Sequence, residues 1–291
     1  MTDTILGIVG GSGFYDLPSL ENQRWETVSS PWGEPSDRIL YADIGGLPVR
    51  FLPRHGRGHR HAPTDINYRA NIDCLKRAGV TDLISISACG SLREELAPGT
   101  FVLVDQFIDR TFARDKSFFG SGLVAHVSVA DPVSPIVVDE VEKSLKAEAI
   151  PYQRGGTYLA MEGPQFSSRA ESHLYRSWGC SVIGMTNMPE AKLAREAEIC
   201  YATVAMVTDY DCWHEEHDDV DVASVIRIMR DNTAKAQRMV LALAKSFPRQ
   251  HPPCPIGSDR ALEVAVITAP EARDPALMAK LDAVAGRVLK N

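Results

Sequence analysis

Residues 201–208 read YATVAMVT and run directly into Asp209-Tyr210-Asp211. A short run with no polar face predicts a strand buried on both sides, the kind found inside a largely parallel sheet. Comparable apolar runs at 5–9, 47–52, 82–87 (DLISIS), 100–104, 157–161 and 180–185 predict further strands. Helical patterns alternate with them. One starts at Pro63-Thr64 and runs to Gly79, one spans 135–149, one spans 169–178, one starts at Pro189, and a long amphipathic one covers 222–247. This alternation predicts an α/β fold: a single domain, 1–291, with a central mixed β-sheet flanked by helices. Residues 248–257 (PRQHPPCPIG) break the pattern. The remainder predicts a short strand and a helix, too small for a core of its own, so 258–291 is expected to pack as an appendage on the same domain.

The composition narrows the function classes. The 291 residues include 44% hydrophobic and 24% charged, enough to bury a full core. The net charge of −7 argues against a general nucleic-acid binder. No apolar run approaches membrane-spanning length, and MTDTILGIVGGSG has neither the cationic nor the apolar region of a secretory signal. A cytoplasmic protein without membrane association is expected. Six cysteines, at 74, 89, 180, 200, 212 and 254, form no C-x-x-C pair and read as reduced, mostly buried thiols rather than a disulfide framework or zinc site.

Polar groups fall at the ends of apolar runs: Ser12, Arg54-His55, Ser87-Ala88, Met185-Thr186 and Asp209-Tyr210-Asp211. Ligands of open α/β sheets bind at the carboxyl ends of strands. Convergence of these ends would set anion donors opposite carboxylates. The loop Gly10-Gly11-Ser12-Gly13 matches no dinucleotide, Walker or nucleophile-elbow pattern, so it reads either as an oxyanion cradle or as a tight turn. The stretch 53–61, PRHGRGHRH, is dense in cations, and arginine offers a planar fork suited to phosphate. Its histidines have no carboxylate or thiolate at ligand spacing, and 214–217 (HEEH) is one residue short of a zincin motif, so no metal is expected. Asp209 and Asp211 suit acid/base work or binding of an amino group; the plainer reading is capping or surface charge.

Several ordered motifs carry a resemblance: GGSGFYD (10–16), PRHGRGHRHAPTDINYRAN (53–71), ACGSLREE (88–95), DQFIDRT (105–111), EGPQFSSRAE (162–171), GMTNMPEAKLAREAEICYA (184–202) and TDYDCW (208–213). Across roughly residues 5–247 the chain resembles the 5′-methylthioadenosine phosphorylases of the purine nucleoside phosphorylase family. The resemblance implies phosphorolysis of methylthioadenosine to adenine and 5-methylthioribose 1-phosphate, in purine and methionine salvage. It implies no cofactor, with inorganic phosphate as co-substrate. Ser12, Arg54, His55, Ser87, Ala88 and Thr186 would hold phosphate. Met185 would lie against the ribose, Phe166 near the base, and Asp209 and Asp211 at the adenine edge. His126, Val222, Val225 and Ile226 would line the 5′-methylthio pocket, with Ser167 and Val222 as specificity positions. His126 would reach a neighbouring subunit's site in a homotrimer, a homohexamer being the alternative. Asp209, Arg54 and His55 would be the catalytic residues. The competing readings are a phosphorylase for methylthioinosine or ordinary purine nucleosides, a hydrolytic nucleosidase, a non-catalytic purine- or anion-binding protein and, weakest, a serine hydrolase.

Overall fold

A computed structural model describes residues 3–11, 17, 19–214 and 222–290, with the backbone alone for 222–225. The strands are β1 (Leu6–Gly10), β2 (Glu21–Glu26), β3 (Ile39–Ile44), β4 (Leu47–Pro53), β5 (Asp82–Ser91), β6 (Phe101–Leu103), β7 (Gln106–Arg110), β8 (Tyr152–Arg154), β9 (Thr157–Met161), β10 (Val182–Gly184) and β11 (Cys200–Asp209). The helices are α1 (Tyr68–Arg77), α2 (Pro135–Ala147), α3 (Arg169–Ser177), α4 (Asn187–Glu196), α5 (Val222–Ser246), α6 (Pro275–Lys280) and α7 (Gly286–Leu289).

All the strands belong to one mixed sheet, with β5 as its hub. Strand β5 runs parallel to β1 and β11 and antiparallel to β10. Side chains alternate across it: Leu83 joins the core beneath α1 and α4, whereas Ile84 and Ile86 join the one beneath α2 and α5. This explains why both faces of β5 and β11 are buried, since helices cover both sides.

The structure changes several boundaries. Strand β5 continues through Ser91 instead of looping at Ala88, because 88–91 pair on both edges, with Met206 and Val207 on one side and Ile183 and Val182 on the other. Helix α1 starts at Tyr68, five residues after Pro63, because the Asn67 side chain accepts from Ala70 N and caps it. In α4, Met188 is non-helical, so regular helix begins at Pro189 as the sequence suggests. Strands β2, β3, β7 and β8 escaped the apolar reading; β2 is ENQRWE and largely exposed. No strand forms in 261–290. Val266 makes only an isolated bridge to Ala125, and short helices follow. Leu262, Leu281 and Val284 from this stretch are buried in the same core as α1 and α4. All six cysteines are free thiols, five of them buried.

Candidate active site

The carboxyl ends of β1, β4, β5, β10 and β11 open into a cavity of about 750 Å³. It is lined by Arg54, His55, Ser87, Ala88, Phe166, Met185, Thr186, Asp209, Asp211 and Ile226, so ten of the expected site residues share one space. Ser12 and the side chains of Val222 and Val225 lie outside the described residues.

One pole rests on Arg54, which is 1% exposed at the end of β4. Nε donates to Glu190 Oε2 at 2.8 Å. Nη2 reaches Glu190 Oε1 (3.3 Å), Val9 O (3.3 Å) and Ser85 Oγ, and Nη1 donates to Ile86 O at 3.2 Å. A guanidinium has five N–H groups. Four are therefore engaged within the chain, and one on Nη1 remains for an anion. The fork therefore grips Glu190, and a buried carboxylate keeps it charged and aimed. The network extends from Glu190 to Tyr201 OH (3.0 Å), on to Asn187 Nδ2 (2.9 Å), and through Asn187 Oδ1 to the Ser87 hydroxyl (3.1 Å). Thr186 is buried at the start of α4.

The rest of the cationic stretch is largely tied down. Arg57 pairs with Asp37 at 2.9 Å and stacks over Trp25, and Arg60 donates to Ser36 O at 3.1 Å. His55 Nδ1 lies 2.9 Å from His61 O, which accepts only, so Nδ1 carries the proton and Nε2 is the acceptor of the neutral ring. Burial pushes the His55 pKa down to about 4; the His61 carbonyl opposes this and the Arg54 cation reinforces it. His55 is thus a neutral imidazole at physiological pH, not one of the cations its sequence neighbourhood suggests.

The other pole is acidic. Asp209 Oδ2 accepts from Thr208 Oγ1 at 2.7 Å, and Oδ1 accepts from Asp211 N at 2.8 Å. Burial raises the Asp209 pKa despite these two bonds. Asp211 has a left-handed backbone (φ 52°), and its buried Oδ2 has no hydrogen-bond partner among the described residues. Burial raises its pKa to about 6; nearby Ser172 and Ser167 pull it down and the Asp209 charge pushes it further up. Gly90 makes the arrangement possible, because a Cβ there would stand 2.9 Å from Asp209 Oδ1 and 3.4 Å from Asp211 Cβ. Phe166 (52% exposed) and Ile226 (43% exposed) form an apolar rim.

Two expected residues are not on the cavity wall. Ser167 is buried behind it, its Oγ 3.7 Å from Met161 Sδ and its carbonyl accepting from the Cys212 thiol at 3.2 Å. His126 is exposed, and its N–H donates to Ala265 O at 2.9 Å.

Residues 5–245 match the model of the phosphorylase superfamily. The chain belongs to the phosphorylase superfamily. Within it, the chain is 67% identical to the S-methyl-5′-thioadenosine phosphorylase of Bradyrhizobium diazoefficiens over 290 residues, covering 100% of both chains. A solved methylthioadenosine phosphorylase from an antarctic soil metagenomic library superposes with a TM-score of 0.92 at 43% identity, covering 98% of this chain and 99% of that one. The methylthioadenosine phosphorylase from Schistosoma mansoni, solved with adenine, superposes with a TM-score of 0.80 at 30% identity, covering 97% and 98%. Sequence reasoning passed over several residues of this superfamily site. Glu190, Asn187 and Tyr201 lie inside the quoted motif 184–202, and their polar side chains in an otherwise apolar stretch were the available signal. His61 also lines the cavity, with a buried Nε2 that has no hydrogen-bond partner among the described residues.

Proposed function

We propose that the chain is an S-methyl-5′-thioadenosine phosphorylase, a pentosyltransferase that uses inorganic phosphate and no cofactor. Phosphate attacks C1′ of the nucleoside; the C1′–O bond forms, the C1′–N9 bond breaks, and the electron pair leaves with adenine. The products are adenine and 5-methylthioribose 1-phosphate, which links the enzyme to purine and methionine salvage. The observation that carries this reading is the opposition, across one cavity, of an anion pole built on Arg54 and an acidic pole in which burial favours the protonated carboxyl.

Glycosidic cleavage builds positive charge on the sugar and negative charge on the departing base. Only groups that bind this separation better than the ground state add rate. The remaining Arg54 N–H, the hydroxyls of Ser12, Ser87 and Thr186 and the backbone at Ala88 hold phosphate beneath the sugar. The neutral His55 accepts from the hydroxyl of monoprotonated phosphate. Met185 packs on the ribose and Phe166 closes over the base. Asp209, protonated, donates to N7 as adenine leaves, a contribution of about 3 kcal/mol for a preorganised donor. Asp211, as carboxylate, accepts from the 6-amino group, which a 6-oxopurine lacks. Ile226, with Val222 and Val225, provides the apolar wall for the methylthio group. Ser167 acts on specificity from behind the wall, through its contact with Asp211. His126 serves the site of a neighbouring subunit in a cytoplasmic homotrimer of single-domain chains, 258–291 being part of that domain.

The test is phosphate dependence. Purified protein is incubated with methylthioadenosine, with and without phosphate, and free adenine is followed by chromatography. Methylthioinosine and adenosine run in parallel. Adenine release that requires phosphate, with methylthioinosine poorly used, is expected. Release without phosphate would make the protein a nucleosidase, and binding without turnover would make it a purine-binding protein.

A further inference from the structure

Behind the cavity wall lies a buried ion pair that the proposed chemistry leaves unused. Arg114 stands three residues past DQFIDRT (105–111), and Glu162 opens EGPQFSSRAE (162–171). Neither residue lines the cavity. Arg114 Nε donates to Glu162 Oε1 at 2.9 Å, and the arginine side chain is 1% exposed. Nη1 reaches Met185 O at 2.5 Å, Met188 O at 2.7 Å and Tyr68 OH at 3.1 Å, and Nη2 donates to Glu162 O at 2.7 Å. Glu162 is tied in turn. Its Oε1 also accepts from Thr64 Oγ1 at 2.6 Å, and its Oε2 accepts from the backbone N–H groups of Phe112 (2.5 Å) and Ala113 (3.1 Å). Burial alone would raise the Glu162 pKa, yet the bonds from Thr64, Phe112, Ala113 and Arg114 hold it down to about 2. The pair is therefore ionised at neutral pH.

We propose that Arg114 is a positioning residue for phosphorolysis, its fork fixing the stretch of wall, 185–188, on which phosphate and ribose rest. This builds on the phosphate and ribose assignments made under the proposed function. Met185 O and Met188 O bracket Thr186 and Asn187 in the chain. Thr186 lines the anion pole, and Asn187 Oδ1 accepts from the Ser87 hydroxyl at 3.1 Å. Met188 is the non-helical residue of α4, and its carbonyl is met by Arg114. With both flanking carbonyls bound to one nitrogen, the peptide units between them have little freedom to turn the Thr186 hydroxyl away from the cavity. Through Nη2 the same group holds Glu162 O, so the pair cross-links the end of β9 to the start of α4. A guanidinium can do this because its donors form a rigid planar fork; a lysine ammonium would neutralise Glu162 without that fork. Orientation of this kind matters for rate, since a displacement of about 1 Å caused far from the chemistry can cost about 100-fold. The Arg114 bonds go to β9, α1 and the β10–α4 junction, whereas Asp209 and Asp211, assigned to adenine, stand at the end of β11. Phosphate binding and turnover should therefore depend on the fork, and adenine binding should not.

The test compares the full-length parent with Arg114→Lys, which keeps a cation opposite Glu162 and removes the fork. Circular dichroism and Tm report folding. Calorimetry measures the Kd of inorganic phosphate and, separately, of adenine, and adenine release from methylthioadenosine gives kcat and KM. The variant is expected to fold, to bind phosphate about 10-fold more weakly and to lose about 10–100-fold in kcat, with the adenine Kd unchanged. A purely structural ion pair would leave the constants of a folded Arg114→Lys at parental values, or would weaken phosphate and adenine together in step with Tm. Either result overturns the proposal. Should Arg114→Lys not fold, Arg114→Met/Glu162→Gln, which leaves neither charge buried, carries the same comparison with the same expected outcome. A parent that released no adenine in the presence of phosphate would take down the underlying functional reading and the proposal with it; a working parent matched by its variants overturns the proposal alone.

Discussion

Strands β5 and β11 run side by side and carry reactive side chains at both ends, yet the ends are organised in opposite ways. At the carboxyl ends the polar groups aim into open space. Asp211 has a buried oxygen without a hydrogen-bond partner among the described residues, burial raises the pKa of both aspartates, and the cavity is rimmed by an exposed Phe166. At the amino ends the donors aim at one another: Asp82 at His251, His251 at Cys200 and Asp259. The first arrangement costs stability and suits a ligand that comes and goes. The second sets buried polar groups against one another across the sheet edge. Burial alone therefore does not distinguish a working site from a structural one; what matters is whether the buried polar atoms face a cavity or each other.

Breaking the open end at its anchor has the largest expected effect. Arg54→Ala removes an anion contact and leaves the Glu190 carboxylate buried without its cation. Loss of one partner from a buried pair costs about 3–5 kcal/mol. The urea midpoint is expected to fall accordingly, and phosphorolysis to become undetectable. The double variant Arg54→Met/Glu190→Met separates the two effects. With both charges gone, stability returns to within about 1–2 kcal/mol of the parent, while activity stays lost. A double variant that regained activity would show Arg54 to be a structural residue only.

Asp209→Asn probes the same end without disturbing the anion pole. It is expected to lower kcat by about 10²–10³-fold, the range for loss of one preorganised donor, with little change in Tm. On the proposed mechanism the donor must be protonated, so kcat/KM is expected to fall as pH rises above the apparent pKa of the pair. In the variant that alkaline fall is expected to vanish. A variant that kept both kcat and the pH profile would remove Asp209 from the chemistry.

The two ends also differ in how much of them the sequence reveals. The alternation of elements, the strand ends and ten of the cavity residues are legible, because a parallel sheet buried on both faces leaves polar residues little choice but the strand termini. Glu190 and Asn187 are not, since their roles depend on Arg54 just past β4 and on Ser87 in β5, which no spacing rule joins to helix α4. Ser167 sits behind the wall for a similar reason: it neighbours the rim residue Phe166 in the chain, yet its hydroxyl turns inward to Met161. The amino-end cluster is hidden more completely. Cys200 stands more than fifty residues before Cys254, Asp82 is farther still, and only register pairing and the crossing segment 250–260 bring them together, so no spacing rule reveals the cluster. Strand β2 went unseen because its residues face solvent and carry no apolar alternation.

The smallest effect, and the most direct measure of what the open end costs, comes from Asp211→Asn. In the folded chain the Asp211 pKa is raised from 3.8 to about 6, so the folded state binds this proton more tightly than the unfolded one. Parental stability therefore falls as pH rises from about 4 to about 6. Below that window the parent and the uncharged asparagine variant are expected to melt together. Above it the variant is expected to be more stable by on the order of 1–3 kcal/mol, each pKa unit corresponding to about 1.4 kcal/mol. His55 works with the opposite sign: its pKa is depressed from 6.5 to about 4, so stability is lost as pH falls through that interval. That loss occurs in parent and variant alike and cancels in their difference, leaving the coupled Asp209–Asp211 pair as the source of the change of ΔTm with pH. The gain in stability should be matched by a loss of selectivity, because asparagine can donate to a 6-oxo group where the carboxylate only accepts. A variant whose extra stability does not depend on pH would show that the parental carboxylate is not paying a desolvation cost, and the contrast between the end that faces the cavity and the end whose groups face one another would lose its energetic basis.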